Sequence, residues 1–237
     1  MAHTETPYRN RLLARLDGDD RARLASHLEA IDLPKGFPIA DPGAPITHLY
    51  FFESGIGSVV ARSPEGFKAE VGLVGREGYL PAAGLLEPGT TVHEVVMQVG
   101  GSGYRIAAET LAAILAETPS ILALMARFGQ YLGTQTAYTA LSNAVHHVEE
   151  RLARWLLMCH DRMDGDELAL THEYLSILLA VRRPSVTTAL HVLEGERLVR
   201  ATRGLITIRD RDGLERFASD AYGVPEAEYA RLIGPMR

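Results

Sequence analysis

Two adjacent arginines followed by small hydroxyl residues, in the stretch VRRPSVTTALHVLE, are the residues of this chain best suited to reading a polyanion. At helical spacing Val186, Ala189, Leu190 and Leu193 fall on one face, while Arg183, Ser185, Thr187, Thr188 and His191 fall on the other. An arginine can donate two parallel hydrogen bonds to a guanine edge, and small hydroxyl residues suit phosphates and thymine methyls. Arg182 stands at the turn just before this face. Arg200 and Arg203 follow downstream, placed for contacts to a phosphate backbone. The net charge of the chain is −6, but residues 171–209 hold six arginines against three glutamates, a local excess of three positive charges. A local basic face matters more for binding phosphate than the chain average does.

The elements that must position these residues are legible around them. Thr171 can cap a short helix with Leu175 and Leu178 facing inward, and Val181-Arg182 forms a turn. A second helix is predicted from Arg183 to Glu194, with Pro184 in its first turn, where the missing N–H costs no hydrogen bond. Gly195 is the expected terminator. Two short strands, LVRA and LITI, joined by Thr202-Arg203-Gly204, then form a hairpin with an arginine at its tip. Residues 168–209 therefore read as a winged helix-turn-helix, and double-stranded DNA is the partner it implies.

Upstream, residues 8–30 are predicted helical, with Leu12, Leu13, Leu16, Leu24 and Leu28 at helix-like spacings broken by an Asp17-Gly18-Asp19 turn signal. Residues 31–106 change character, with glycine and proline recurring between short strand-like runs at 48–54, 57–62, 69–74 and 93–99. Such spacing suggests a β-sandwich or β-roll. From Ala107 the pattern is helical again. A helix over about 120–147 would be about 40 Å long at ~1.5 Å per residue. Its stripe of Ile121, Met125, Phe128, Leu132, Thr136 and Thr139 is expected to pair with a second copy of the chain, the alternative being a helix laid along its own β-domain. His146-His147 marks a hinge before a further helix over 148–162.

Composition narrows the function classes. A length of 237 residues favours two domains, and 46% hydrophobic with 23% charged residues suits a globular protein with a real core. Cys159 is the only cysteine, which excludes an internal disulfide and a self-contained iron–sulfur cluster and points to a reducing cytoplasm. The N-terminus is too polar for a signal peptide, and no apolar run reaches membrane-spanning length, so no membrane partner is expected. No nucleophile elbow, Walker loop or HExxH motif is present, and Cys159 and His160 point about 100° apart on a helix, so no enzyme and no metal site is expected.

On the residues 168–209 and the layout before them, the chain resembles the Crp/Fnr family of bacterial transcription regulators over nearly its whole length. The resemblance implies an α+β fold: an N-terminal double-stranded β-helix (jelly-roll-like) sensory domain over 1–118, a dimerisation helix over 119–147, and a C-terminal winged helix-turn-helix over 148–237. It also implies a homodimer on a pseudo-palindromic promoter site, with RNA polymerase as a further partner. Of the family's three base-reading positions only the first, Arg183, transfers. Its glutamate falls on Pro184 and its second arginine on Thr188, so the target half-site is non-standard. In the stretch matching the family's phosphate-binding cassette, Ala82 replaces the glutamate, Val92 the arginine and His93 a serine. Thr136 keeps a hydroxyl for a purine, followed by Ala137. A buried phosphate without an arginine would be uncompensated, so cyclic AMP is not the expected ligand of these four positions. No cofactor is predicted. The alternative reading, a small-molecule sensor whose cyclic nucleotide or haem gates DNA binding, stays open because His93, His146 and His147 are present.

Overall fold

A computed structural model describes residues 7–84 and 89–236. Two compact units emerge, residues 1–58 with 74–130 and residues 59–73 with 131–237.

The first unit starts from Asn10, a fully buried polar residue whose hydrogen-bonding groups are all engaged. Its Oδ1 accepts from the backbone of Leu12 and Leu13, capping helix α1 (Arg11–Arg15), and its Nδ2 donates to the carbonyls of Phe52 and Gly78 at 3.0 and 2.8 Å. Helix α2 (Gly18–Ala25) is capped by Asp17, with Asp19 and Asp20 in its first turn. The Asp-Gly-Asp signal is thus a helix start rather than a turn, since carboxylates favour the positive end of a helix. The expected helix ends early, because Glu29–Leu33 form strand β1.

Seven further strands follow: β2 (Pro38–Ala40), β3 (His48–Phe52), β4 (Ile56–Arg62), β5 (Lys68–Val74), β6 (Tyr79–Leu80), β7 (Glu94–Val99) and β8 (Gly101–Ala107). They make two four-stranded sheets, ordered β1-β8-β3-β6 and β2-β7-β4-β5. The pairs β1–β8, β3–β8, β3–β6 and β2–β7 are antiparallel. The four runs read from sequence are β3, β4, β5 and β7. Strand β8 escaped notice because of its glycines, yet those glycines let it lie between two neighbours: a Cβ on Gly101 or Gly103 would collide with the backbone of Ser54 or Phe51. Leu49, Phe51, Phe52, Ile56, Tyr79 and Ile106 fill the core of this unit.

Helix α3 (Ala108–Glu117) ends at Thr118, and α4 (Pro119–Val145) restarts at the proline and runs 27 residues. Its apolar stripe does not meet the expectation of a seam between copies. Ile121, Met125, Phe128 and Thr139 are at most 3% exposed within the single chain, and Leu132 and Thr136 are half-buried. Phe128 packs on Tyr79, 5.2 Å between ring centroids, and leaves no room for a side chain at Gly78. Thr139 accepts from Arg154 Nη2 at 3.0 Å. The larger side chains of the helix bury where partners already exist.

The second unit is built on α5 (Val148–Arg162), whose residues 151–162 are all buried. After β9 (Glu167–Leu168) come α6 (His172–Leu178), α7 (Arg183–Gly195), β10 (Val199–Thr202), β11 (Leu205–Ile208), α8 (Arg211–Ala218) and α9 (Val224–Leu232). Strands β10, β11 and β9 form one sheet in that order. Several buried polar groups of this unit are paired across the fold. Gln135 on α4 holds both backbone groups of Leu73, at 2.7 and 3.1 Å. Arg162 donates to the Tyr131 hydroxyl at 2.8 Å, and Asp161 accepts from Arg211 and the Tyr222 hydroxyl at 2.7 and 2.6 Å. Burial pushes Arg154 down to about 10. Among the described residues, no single helix is long and apolar enough to cross a membrane.

Candidate nucleic-acid interface

The reading segment is assembled by caps. Thr171 Oγ1 accepts from Tyr174 N at 3.2 Å to start α6. The helix closes with Ala180 in the left-handed region (φ 50°), while the amides of Ala180 and Val181 return to the carbonyls of Ile177 and Ser176. Arg151 on α5 donates to the Leu179 carbonyl and so pins the turn from beneath. Helix α7 then begins at Arg183 with Pro184 in its first turn.

The two faces of α7 separate as its periodicity requires. Val186, Ala189, Leu190 and Leu193 are at most 1% exposed, whereas Arg182, Arg183, Ser185, Thr188 and His191 are exposed and Thr187 is half-buried. Gly195 is the last helical residue, not the terminator. The left-handed residue is Arg197 (φ 60°), with Arg197 N and Leu198 N donating to the carbonyls of Glu194 and Leu193. Strands β10 and β11 pair from Val199↔Ile208 to Thr202↔Leu205, so Arg203 and Gly204 (φ 78°) form the tip. Glu194 Oε1 accepts from Ala201 N at 2.8 Å, which turns an acidic side chain into a strut between α7 and the wing.

Arg182, Arg183, Arg200 and Arg203 are exposed and have no ion-pair partner among the described residues. Such guanidiniums are free to meet phosphates or base edges. The hydroxyls of Thr187 and Thr188 donate back to the carbonyls of Arg183 and Pro184, so they present oxygen lone pairs and methyls outward. The structure thus brings all eight expected contact residues onto α7, its leading turn and the wing.

Two residues near this face went unmarked in the sequence. His172 reaches Thr187 through Nδ1 at 3.2 Å, and Tyr174 donates to Glu70 of β5 at 2.7 Å. Neither carried a signal beyond its position in α6. The residues matched to the cassette are less concentrated. Ala82 sits half-buried in a short 3-10 turn, Val92 is 79% exposed, and the His93 amide donates to Thr91 Oγ1. Residues 85–88 of that stretch lie outside the described residues. In the second unit, Thr136 Oγ1 already lies within hydrogen-bond distance of the carbonyls of Val71 and Leu132, at 3.1 and 3.0 Å. Among the described residues no group of three or more His, Cys, Asp or Glu side chains could hold a metal ion. Burial pushes the Cys159 thiol up, with Glu70 adding to the effect.

Residues 150–217 match the sequence profile of the Crp-like helix-turn-helix domain. No curated protein matches the chain. Among solved structures it is similar to CLP of Xanthomonas campestris, a c-di-GMP-responsive global regulator, with TM-score 0.64 and 20% identity over 81% of this chain and 99% of that one. A Crp/Fnr-family transcriptional regulator from Eubacterium rectale gives TM-score 0.64 and 21% identity, covering 87% and 97%. FixK2 of Bradyrhizobium japonicum gives 0.66 and 14%, covering 81% and 98%. At these identities the likeness speaks for the fold.

Proposed function

Because residues 150–217 are a Crp-like helix-turn-helix domain on the fold of Crp/Fnr-type transcription regulators, we infer that this chain is a sequence-specific regulator that binds promoter DNA as a homodimer. The reading rests on one observation: Arg183 stands exposed in the first turn of α7, beside the arginines of the wing, and none of them has an ion-pair partner among the described residues. Two such helices about 34 Å apart would read a pseudo-palindromic site. The division of labour follows the sequence: residues 1–118 sense, 119–147 pair the copies, 148–237 read. Cytoplasmic location and contact with RNA polymerase belong to the same proposal.

The pairing surface is the outer face of α4. Ala126, Gln130, Gly133, Ala137, Leu141 and Ala144 recur at spacings of four and three and are all exposed, Leu141 by 50%. Small residues there allow close approach of a second helix. A cyclic nucleotide is disfavoured, since Ala82 and Val92 bring no charge to a phosphate and the Thr136 hydroxyl is already engaged. No haem ligand is assigned to His93, His146 or His147.

The test is a mobility shift on duplexes selected by the protein from a random pool. Arg183→Ala should lower the preference for the selected site about 5- to 150-fold, the equivalent of ~1–3 kcal/mol for a bidentate base contact. Undiminished preference would remove Arg183 from the base-reading role.

A further inference from the structure

We propose that residues 219–236 form a strap that sets the angle between the end of α4 and α5, so that Tyr222 and Tyr229 are positioning residues for the spacing of the two DNA half-sites. The inference rests on the homodimer reading above and adds to it a determinant of specificity away from the DNA-contacting face. The strap lies beyond the segment matched to the Crp-like helix-turn-helix, which ends at residue 217.

The need for a strap arises at the hinge. Helix α4 ends at Val145, α5 starts at Val148, and His147 between them is extended (φ −67°, ψ 159°). The backbone ladder of one helix does not run into the next, so the angle between them is left to side chains. Two contacts tie the helices directly: Arg154 to Thr139 at 3.0 Å, and Arg162 to the Tyr131 hydroxyl at 2.8 Å. The strap adds contacts to both. The buried Tyr229 ring of α9 stands edge-on to Tyr131 of α4, with 4.9 Å between centroids. Tyr222 donates to Asp161 of α5 at 2.6 Å, and that carboxylate is 3% exposed. Asp220, in a short 3-10 turn (Ser219–Ala221), meets His146 Nε2 of the hinge itself at 3.0 Å.

These contacts are unequal. The Asp220 carboxylate is 88% exposed, so its pairing with His146 adds little in water. The bond from Tyr222 to a buried carboxylate and the ring packing of Tyr229 are shielded from solvent and hold more firmly. Ala221, Ile233 and Met236 are also buried, so the strap is anchored along its length.

The consequence for DNA is geometric. Helix α5 packs against α7 and so carries the reading helix with it. Its 15 residues span about 22 Å at ~1.5 Å per residue. A tilt of roughly 10° moves its far end by about 4 Å, and one base pair rises about 3.4 Å. A hinge held to a few degrees therefore admits one spacing between half-sites, whereas a loosened hinge also admits spacings one base pair away.

The experiment is fluorescence anisotropy of the full-length protein on a duplex it selects from a random pool, with the half-sites then moved one base pair closer or farther apart, and on a single half-site. The wild-type protein should prefer the selected spacing about tenfold. The Tyr222→Phe/Tyr229→Leu variant should bind all these spacings within about threefold of one another, with its half-site affinity within about twofold of wild type. Tyr222→Phe alone should narrow the preference to about fivefold, and Tyr229→Phe, which keeps the ring, should leave it unchanged. Fluorescence of the buried Trp155 checks that each variant is folded at the assay temperature. A folded double variant that keeps the full preference overturns the proposal. So does one whose half-site affinity falls in step, because the strap would then support the reading helix itself. Should the double variant not fold, an undiminished preference in Tyr222→Phe overturns it. A wild-type protein that binds two half-sites no better than one overturns the homodimer reading instead.

Discussion

Ala180 and Arg197 occupy the left-handed backbone region at the ends of α6 and α7, where glycine is the usual residue. A side chain there costs about 1–2 kcal/mol. Both are held by what comes next: the chain must reverse so that Val181 leads into α7 and Leu198, 7% exposed, returns under it. Ala180→Gly should relieve the strain at the price of a floppier unfolded chain, leaving a net gain of about 0.5–1 kcal/mol. The midpoint of thermal unfolding should rise by roughly 1–4 °C. A lowered midpoint would mean that the turn does not adopt this conformation in solution. Sequence reasoning put the terminator at Gly195 because glycine is the common signal. The left-handed residue is instead Arg197, two residues after Gly195, and the buried Leu198 follows it.

At the scale of elements, the helix-turn-helix and its wing were largely legible. The second helix was read as Arg183–Glu194 and is observed as Arg183–Gly195, and the wing strands differ by a residue or none. Caps and periodicity act within a turn or two, which is why they can be read locally. The pin between α6 and β5 was not legible, since Tyr174 and Glu70 are 104 residues apart. Hydrogen bonds to charged groups contribute about 1.5–3 kcal/mol net. Tyr174→Phe should therefore lower the unfolding midpoint of this unit by roughly 3–12 °C. Trp155 is the only tryptophan and lies buried in α5, so its fluorescence reports that unit directly. An unchanged midpoint would show that the hydroxyl and the carboxylate do not meet. Helices α8 and α9 had usable signals that were overlooked: Asp210 accepts from Gly213 N as a cap, and Pro225 stands in the first turn of α9.

For the whole molecule, the decisive correction concerns α4. Its sequence shows an apolar stripe at the spacing of a helix pair, but periodicity identifies a face and not what covers it. The large residues of that stripe turned inward, leaving the small-residue face from Ala126 to Ala144 exposed. Ala137→Glu would place unpaired carboxylates at the centre of that face in both copies. At about 3–5 kcal/mol for an uncompensated buried charge, the dimer should weaken by at least about a hundredfold, seen as monomer by light scattering at micromolar concentration. DNA binding to a two-part site should fall with it. An intact dimer would place the interface elsewhere.

The amino-acid sequence by itself determined the second helix of the helix-turn-helix, its leading arginines, the wing and four of the eight strands of the β-rich half, because caps, turns and side-chain alternation are local and each carries its own free energy. The tertiary structure decided which side of α4 is core, that Gln135 grips the backbone of Leu73, that His172 meets Thr187 and that Tyr174 meets Glu70. Those outcomes depend on the partner a side chain finds across the fold. Burial rewards only complementary surfaces, so the choice of partner is settled when distant segments meet.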